Sequence, residues 1–216
     1  MAASAEKLSM TAEEAAACGM DIALHADAAP NRPAILSPLG NRTFEELNAK
    51  SNQLVRAFRS AGLKEGDAVA LLCANRPEFV EACIAVSRCG MRLTPINWHL
   101  TAAEIGYIVE NCEAKSIVAD ARYADKAAEA SAMSPHLIQK LAVAGAIPGF
   151  VSYNEALAAE AAHNIEDPTA GTQMLYTSGT TGHPKGVYRK AAPPVPPLLV
   201  KLPEPAAFAP ARGVAI

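Results

Sequence analysis

Two hydrophobic periods alternate along the first two thirds of the chain. Short continuous apolar runs, such as residues 69–73 (VALLC), are typical of strands buried on both faces of a sheet. Between these runs, apolar residues recur at helical spacing, as Leu47, Leu54, Val55 and Phe58 do. The repeated β-α-β order predicts an α/β fold with a mostly parallel sheet covered by helices.

Local signals set the bounds of the predicted elements. Thr43-x-x-Glu46 and Thr101-x-x-Glu104 are capping boxes that start helices. Pro77 suits the first turn of another helix. Helices are predicted over residues 12–28, 43–61, 77–89, 101–109, 122–132 and 153–162. Strands are predicted over residues 32–38, 69–73, 91–95, 116–119, 140–144 and 173–176.

The composition is that of a globular protein. Of the 216 residues, 50% are hydrophobic and 19% are charged, which excludes a wholly disordered chain. The net charge is −3 and no basic run reaches five residues, so nucleic acid and anionic membranes are not expected partners. The first twenty residues lack the apolar core of a secretory signal, and no apolar run is long enough to span a bilayer. We therefore expect a soluble, cytoplasmic protein.

The five cysteines form no Cys-x-x-Cys pair. Cys73, Cys83 and Cys89 lie in apolar segments, as small core residues do. A reducing compartment is therefore predicted, rather than a disulfide framework or a zinc site.

The segment YTSGTTGHPKGV, residues 176–187, carries the candidate chemistry. Its glycines allow close approach of the backbone to a ligand, and successive N–H groups in such a turn can form an anion-binding concavity. Hydroxyl groups add donors, and a lysine adds a compact positive charge. The candidate phosphate-binding residues are Thr177, Ser178, Gly179, Thr180, Thr181, Gly182 and Lys185.

The common phosphate-binding motifs do not fit this segment. Five positions after Gly179 stands Pro184, and Lys185 is followed by Gly186 rather than by Ser or Thr, so the Walker spacing fails. The dinucleotide fingerprint fails because residue 181 is Thr. Pro184 also argues against a helix through the loop, so a hairpin-like loop between two strands is predicted.

The segment resembles the signature of the AMP-forming acyl-CoA synthetase, adenylation-domain and luciferase superfamily. The match covers Tyr176, Thr177, Ser178, Gly179, Thr180, Thr181, Gly182, Pro184, Lys185 and Gly186. Residues 42–72 and 75–120 resemble the upstream region of fatty-acyl-CoA synthetases. The resemblance implies that residues 1–190 are the N-terminal portion of the large AMP-binding, adenylate-forming domain.

The resemblance also implies a two-step reaction. A small-molecule carboxylate, here a fatty acid, attacks Mg-ATP to give an acyl-adenylate, and coenzyme A then displaces AMP. The implied cofactors are ATP, Mg²⁺ and coenzyme A. The family's magnesium motif ends in Thr-Glu and lies downstream, and this chain has no Thr-Glu dipeptide. No catalytic or metal-binding residue is therefore assigned here, and the 216 residues alone are expected to be inactive.

Residues 191–216 differ in character from the rest. This Pro/Ala-rich tail holds seven prolines, which predicts disorder, and a shifted or prematurely ended reading frame is one hypothesis for it. Two alternative functions stay open. One is a non-catalytic product that binds phosphate or another chain, with self-association through an exposed, truncated sheet. The other is an adenylation domain of a different carboxylate-activating ligase.

Other polar residues receive structural interpretations. Asp67 is predicted to be a turn residue, and Trp98-His99 to form a packed loop. Asp120 follows a strand, and two interpretations are open: a residue of the carboxyl-end crevice of the sheet, or the N-cap region of the next helix, which is favoured.

Overall fold

The computed structural model describes residues 8–177 and 184–188. The strands are β1 (Pro33–Ile35), β2 (Arg42–Thr43), β3 (Ala68–Leu72), β4 (Arg92–Pro95), β5 (Ala114–Asp120), β6 (Gln139–Val143), β7 (Val151–Ser152), β8 (Thr172–Thr177) and β9 (Lys185–Tyr188). The helices are α1 (Ala12–Ala17), α2 (Asp21–Ala28), α3 (Phe44–Ser60), α4 (Pro77–Ser87), α5 (Ala102–Asn111), α6 (Ala124–Ala132) and α7 (Tyr153–Ala158), with a 3-10 turn at Ala121–Tyr123.

Seven of these strands form one sheet in the order β7-β6-β5-β3-β4-β8-β9. All neighbours in it are parallel except β8 and β9, which are antiparallel. The central strand β3 is buried along its whole length, as its continuous apolar run predicts. The predicted α/β class with a mostly parallel sheet is confirmed.

Helices cover both faces of the sheet. One face packs Val69, Leu71 and Leu93 against α1–α4 and α7. The other face packs Ala70 and Ile117 against α5 and α6. Two separate apolar layers therefore stabilise the sheet. In the part of the chain that the structure describes, no helix is long and apolar enough to cross a membrane.

The capping boxes form as predicted. The Thr43 hydroxyl accepts a hydrogen bond from the Glu46 backbone N–H, and the Glu46 carboxylate accepts one from the Thr43 N–H. Thr101 and Glu104 do the same at the start of α5. Each box satisfies N–H groups that have no partner within the helix, so these helix starts are set locally.

The helix predicted over residues 12–28 is wrong as a single element. It breaks between α1 and α2, where Gly19 adopts a φ of +76°. A Cβ at this position would collide with the backbone carbonyl of Ser87, at the end of α4. The break has a local cause, because the Met20 N–H donates to the Ala15 carbonyl and Gly19 has a positive φ, the pattern of a helix that ends at a glycine. The close approach to Ser87 adds a tertiary constraint at the same residue.

Other bounds also differ from the prediction. The strand predicted over 32–38 is only Pro33–Ile35, paired with the unpredicted two-residue strand β2. The two-residue strand β7 was not predicted either. The helix predicted over 153–162 ends at Ala158, and the carbonyls of Glu160 and Ala161 accept hydrogen bonds from Gln53 and Arg56 of α3. Side chains of α3 thus bind the backbone that would otherwise continue the helix.

The segment after α7, residues 159–171, is held along α3 and α4. Arg56 donates to the carbonyls of Ala161, His163 and Asn164. Closer to β8, the Thr169 N–H donates to the Arg88 carbonyl, and a Cβ at Gly171 would collide with the Val86 carbonyl. We call residues 159–171 the α7–β8 linker. Its path fixes where β8 begins.

Arg88 is completely buried beside this linker. Its Nη1 atom donates to the amide oxygens of Asn48 (2.8 Å) and Asn52 (2.7 Å), and its Nε atom donates to the Gly19 carbonyl. Burial lowers the pKa of Arg88 to about 10. The guanidinium thus links the α1–α2 break, α3 and the end of α4.

Cys73 and Cys89 are buried, as predicted for core residues, whereas Cys83 is half-buried. Asp67 forms the predicted turn. The Asp67 carboxylate accepts a hydrogen bond from the Lys64 N–H, and this closes a turn.

Alanine substitution tests the close approach at Gly19. Gly66 is a matched control, because its φ is +86° and nothing lies within 4 Å of the added Cβ. We expect Gly19→Ala to reduce the free energy of unfolding by about 1–3 kcal/mol more than Gly66→Ala, since only Gly19 combines backbone strain with a collision. Urea unfolding of both variants measures this difference. Equal losses would show that the approach to Ser87 adds nothing to the cost of a Cβ at Gly19.

Candidate active site

The predicted loop joins two strands that form a hairpin. Thr177, the last residue of β8, lies opposite Lys185, the first residue of β9. Both are exposed. The hairpin prediction is confirmed, and these two candidate residues are adjacent across the ladder. The other candidates, Ser178, Gly179, Thr180, Thr181 and Gly182, lie outside the described residues, so the phosphate-binding role of the loop stays a prediction.

The hairpin begins at the carboxyl-end edge of the sheet. Because β8 is parallel to β4, with Leu93 opposite Gln173, both strands end at the same edge. Ligands of open α/β sheets bind in crevices at this edge. Thr177 and Lys185 are therefore placed where this class of fold binds its ligands.

Tyr176 fixes the hairpin to α5. Its hydroxyl donates to the Asn111 Oδ1 atom at 2.6 Å, and burial raises the Tyr176 pKa, so the phenol keeps the proton that it donates. On β9, a Cβ at Gly186 would collide with the side chains of Met174 and Tyr176. Gly186 lets the Tyr176 ring lie against β9. The sequence motif indicates a glycine here, but Asn111 has no sequence signal.

Arg76 and Asp120 meet at the centre of the same edge. Arg76 follows β3 and Asp120 ends β5, and Nη1 of Arg76 lies 3.1 Å from Oδ2 of Asp120. The connection from β3 leads to one side of the sheet and that from β5 to the other, so this ion pair spans the topological switch point. The other Asp120 oxygen accepts from the Arg122 N–H at 2.9 Å. The N-cap interpretation of Asp120 is confirmed, at a 3-10 turn, whereas its pairing with Arg76 was not predicted.

A chain of polar contacts extends from this ion pair into the interior. It runs through Asp120, Arg76, Glu78, Arg42, Glu81 and Tyr153. Its inner end is fully buried Glu81, which accepts from Arg42 at 2.7 Å and from the Tyr153 hydroxyl at 2.8 Å. Three carboxyl groups and two guanidinium groups share this network. Burial raises the Glu81 pKa, although the bonds from Tyr153 and Arg42 act in the opposite direction.

The Trp98-His99 loop follows β4 and is held by Lys126, whose ammonium group donates to the carbonyls of Trp98 and Leu100. Trp98 stacks on His99, with ring centroids 3.5 Å apart, and on Tyr123 at 5.5 Å. The predicted loop is therefore packed, although Trp98 stays 40% exposed. Tyr123 was not predicted to take part.

A family model described as "AMP-binding enzyme" matches residues 22–193. The chain belongs to the AMP-binding enzyme family. The resemblance stated above is thereby confirmed, and it rests on most of the chain rather than on the hairpin alone. The boundary between residues 190 and 191 stays a prediction.

Individual members of the AMP-binding enzyme family match at moderate identity. A medium/long-chain-fatty-acid–CoA and 3-oxocholest-4-en-26-oate–CoA ligase of Mycobacterium tuberculosis is 32% identical over 176 residues, covering 77% of this chain and 32% of that protein. A fatty acid–acyl-carrier-protein ligase of Streptomyces coeruleorubidus is 33% identical over 171 residues, covering 76% of this chain and 31% of the ligase. The chain thus spans about a third of the length of these relatives.

Solved structures of AMP-binding enzymes agree with the fold. A Mycobacterium tuberculosis fatty acyl-CoA synthetase superposes with a TM-score of 0.69 at 26% identity, over 81% of this chain and 34% of that structure. An anthranilate–CoA ligase superposes with a TM-score of 0.71 at 24% identity, over 79% of this chain and 34% of the ligase, and it supports the fold alone.

The buried Glu81 carboxyl predicts a pH dependence of stability. The folded chain keeps the Glu81 proton to a higher pH than the unfolded chain does, so the contribution of Glu81 to stability falls as pH rises above its ordinary pKa of 4.5. We expect the free energy of unfolding of the native chain, minus that of Glu81→Gln, to decrease from pH 4 upward in urea titrations.

Glu104→Gln is the control for this experiment. The bonds from the Thr101 backbone and side chain lower the pKa of exposed Glu104, so its contribution is present above its unfolded pKa and lost as pH falls. The difference between the native chain and Glu104→Gln should therefore rise with pH. Slopes of the same sign for the two variants would contradict the assignment for Glu81.

Tyr176→Phe tests the contact between the hairpin and α5. The variant removes one hydrogen bond and keeps the ring, so we expect a loss of about 0.5–1.5 kcal/mol in the free energy that protects the β8 and β9 amides from hydrogen exchange. Tyr123→Phe, in the 3-10 turn before α6, serves as the control. Unchanged protection of β8 and β9 in Tyr176→Phe would show that Asn111 does not hold the hairpin.

Proposed function

We propose that this chain supplies the phosphate-binding hairpin of an ATP-dependent, AMP-forming ligase that joins a fatty acid to coenzyme A. The observation that carries the proposal is the β8–β9 register, which places Thr177 opposite Lys185 at the two ends of the Ser/Thr/Gly-rich loop. This arrangement brings a hydroxyl group and an ammonium group together at the carboxyl-end edge of the sheet, where a polyphosphate can reach both.

The proposed first step is adenylation. A carboxylate oxygen of the acid forms a bond to the α-phosphorus of ATP, and the bond from that phosphorus to the bridging oxygen of the β-phosphate breaks. The products are an acyl-adenylate and pyrophosphate. In the second step the sulfur of the thiol attacks the acyl carbonyl carbon, its proton is lost, and AMP leaves.

The role of the hairpin follows from where charge develops. Negative charge accumulates on the β- and γ-phosphates as pyrophosphate departs, and donors that are already oriented stabilise this charge without rearrangement. Lys185 contributes a positive charge and Thr177 a hydroxyl donor. The candidates at residues 178–182 would add backbone N–H groups and hydroxyls to the same oxygens.

Magnesium and the thiol require further residues. Within residues 8–177 and 184–188, no group of three or more His, Cys, Asp and Glu side chains is placed to hold a metal ion. The chemistry that Mg²⁺ supplies when it is bound is neutralisation of phosphate charge. The metal ligands and the coenzyme A site are left unassigned among the described residues. The 216 residues alone are not expected to complete the reaction.

The substrate class is proposed from the relatives. One acts on medium- and long-chain fatty acids with coenzyme A, and another joins a fatty acid to an acyl carrier protein. A fatty acid is common to both. Coenzyme A is the proposed acceptor, and a carrier-protein thiol is the result that would revise this part of the proposal.

Lys185→Ala tests the phosphate-binding role. We expect the affinity of the 216-residue chain for ATP, measured by isothermal titration, to fall about tenfold or more, because a charge-assisted hydrogen bond contributes roughly 1.5–3 kcal/mol. Lys64→Ala is the control, since it removes the same charge from an exposed lysine in the turn before β3. Equal affinities of the native chain and Lys185→Ala would refute the role of Lys185.

A further inference from the structure

A polar pocket opens at the amino-end edge of the sheet, where β3, β4 and β5 begin. Its volume is about 250 Å³, and its charged lining residues are Asp67, Arg92, Glu113, Lys115 and His136. Arg92 lies opposite Thr172, the first residue of β8, and Thr177 is about 17 Å farther along that strand. The pocket is therefore separate from the candidate phosphate site at the carboxyl-end edge.

A β-bulge presents Lys115 to this pocket. Ala68 of β3 pairs with Ala114, whereas the next residue of β3, Val69, pairs with Ser116, so Lys115 is the extra residue of β5. Bulges redirect a side chain and are frequent next to binding sites. Among the described residues, none accepts a hydrogen bond from the Lys115 ammonium group or forms an ion pair with it. A positive charge thus lines the pocket without a carboxylate in contact with it.

Backbone hydrogen bonds hold the other walls of the pocket beside Lys115. The Lys115 carbonyl accepts from the Ile138 N–H at 2.8 Å, and this bond fixes the segment that carries His136. The Arg92 N–H donates to the Asp67 carbonyl at 2.9 Å, which joins the starts of β4 and β3. The basic groups from three separate segments are therefore positioned by the fold itself.

The charges of the lining favour an anion. The Arg92 guanidinium is held in place, because its Nη2 atom donates to the Cys112 carbonyl at 2.7 Å. The Asp67 carboxylate is already used, since its Oδ2 atom accepts from the Lys64 N–H at 2.7 Å. Glu113 is exposed, so water screens its negative charge. Two permanent cations, Arg92 and Lys115, thus dominate the inner part of the pocket.

We propose that this pocket binds a small inorganic oxyanion, either phosphate or pyrophosphate. Pockets for drug-sized ligands have volumes of about 300–1,000 Å³, so a volume of about 250 Å³ suits a smaller group. Guanidinium and ammonium groups are the donors that phosphate oxygens accept from most strongly. The site does not depend on the ligase function proposed above.

The test is a nuclear magnetic resonance titration of the isotope-labelled 216-residue chain, at constant ionic strength, with sodium phosphate and separately with sodium pyrophosphate. We expect saturable shifts of the amide signals of Asp67, Arg92 and Lys115. Lys115→Gln should weaken the affinity about fivefold or more, because it removes a charged donor, and Lys115→Arg should retain it. Lys50→Gln, on α3 and away from the pocket, is the control that should leave the affinity unchanged. The site is assigned to whichever anion binds more tightly.

Glu113→Gln tests the sign of the ligand's charge. The variant removes a negative charge from the lining and keeps the size of the side chain, so we expect it to bind the anion more tightly than the native chain does. Weaker binding by Glu113→Gln would mean that the carboxylate takes part in binding, and this would contradict an anion site.

Three other results would overturn the proposal. The first is the absence of saturable shifts at the pocket with both anions. The second is an equal affinity of the native chain and Lys115→Gln, in a variant whose spectrum shows that it is folded. The third is a loss of the same shifts in Lys185→Ala, because this would assign the response to the hairpin rather than to the amino-end edge.

Discussion

The buried guanidinium of Arg88 connects the segments on which the rest of the structure depends. A buried charge is costly unless neighbouring dipoles compensate it, and here the oxygens of Asn48, Asn52 and Gly19 accept hydrogen bonds from Nη1 and Nε, while buried Nη2 has no partner among the described residues. Each oxygen comes from a segment far from Arg88 in sequence. The guanidinium has these hydrogen-bond acceptors only when α3, α4 and the α1–α2 break are all in place. The folding of these three segments is therefore coupled.

The same residue also connects this layer to the candidate site. The Arg88 carbonyl accepts from the Thr169 N–H, and this contact starts the approach of the chain to β8. Gly171 then passes against the end of α4, and Thr172 begins the strand beside β4. The start of β8, and with it the position of Thr177, thus depends on contacts of the linker with α3 and α4.

Sequence patterns predicted what depends on local forces. The capping boxes at Thr43 and Thr101 and the apolar run of β3 act within a few residues, and the hairpin follows from Pro184 and the surrounding glycines. What was missed arises between distant positions. Gly19 packs closely against Ser87, the Arg76–Asp120 pair joins residues 44 apart, and Asn111 meets Tyr176 across 65 residues. Hydrophobic periodicity is a local signal and carries no information about contacts between residues so far apart in sequence.

The α7–β8 linker has a consequence for how this protein can diverge. Gln53 and Arg56 bind it mainly through main-chain carbonyls, which every residue type provides. Four linker positions are constrained in residue type: Asn164 and Asp167, whose side chains contact α3, buried Ile165, and Gly171, where a Cβ would collide with Val86. Positions that contribute only a main-chain carbonyl can vary. The length of the linker is constrained, because an inserted residue would move the carbonyls away from the side chains that donate to them. Related sequences should therefore vary in residue type within the α7–β8 linker but keep its length.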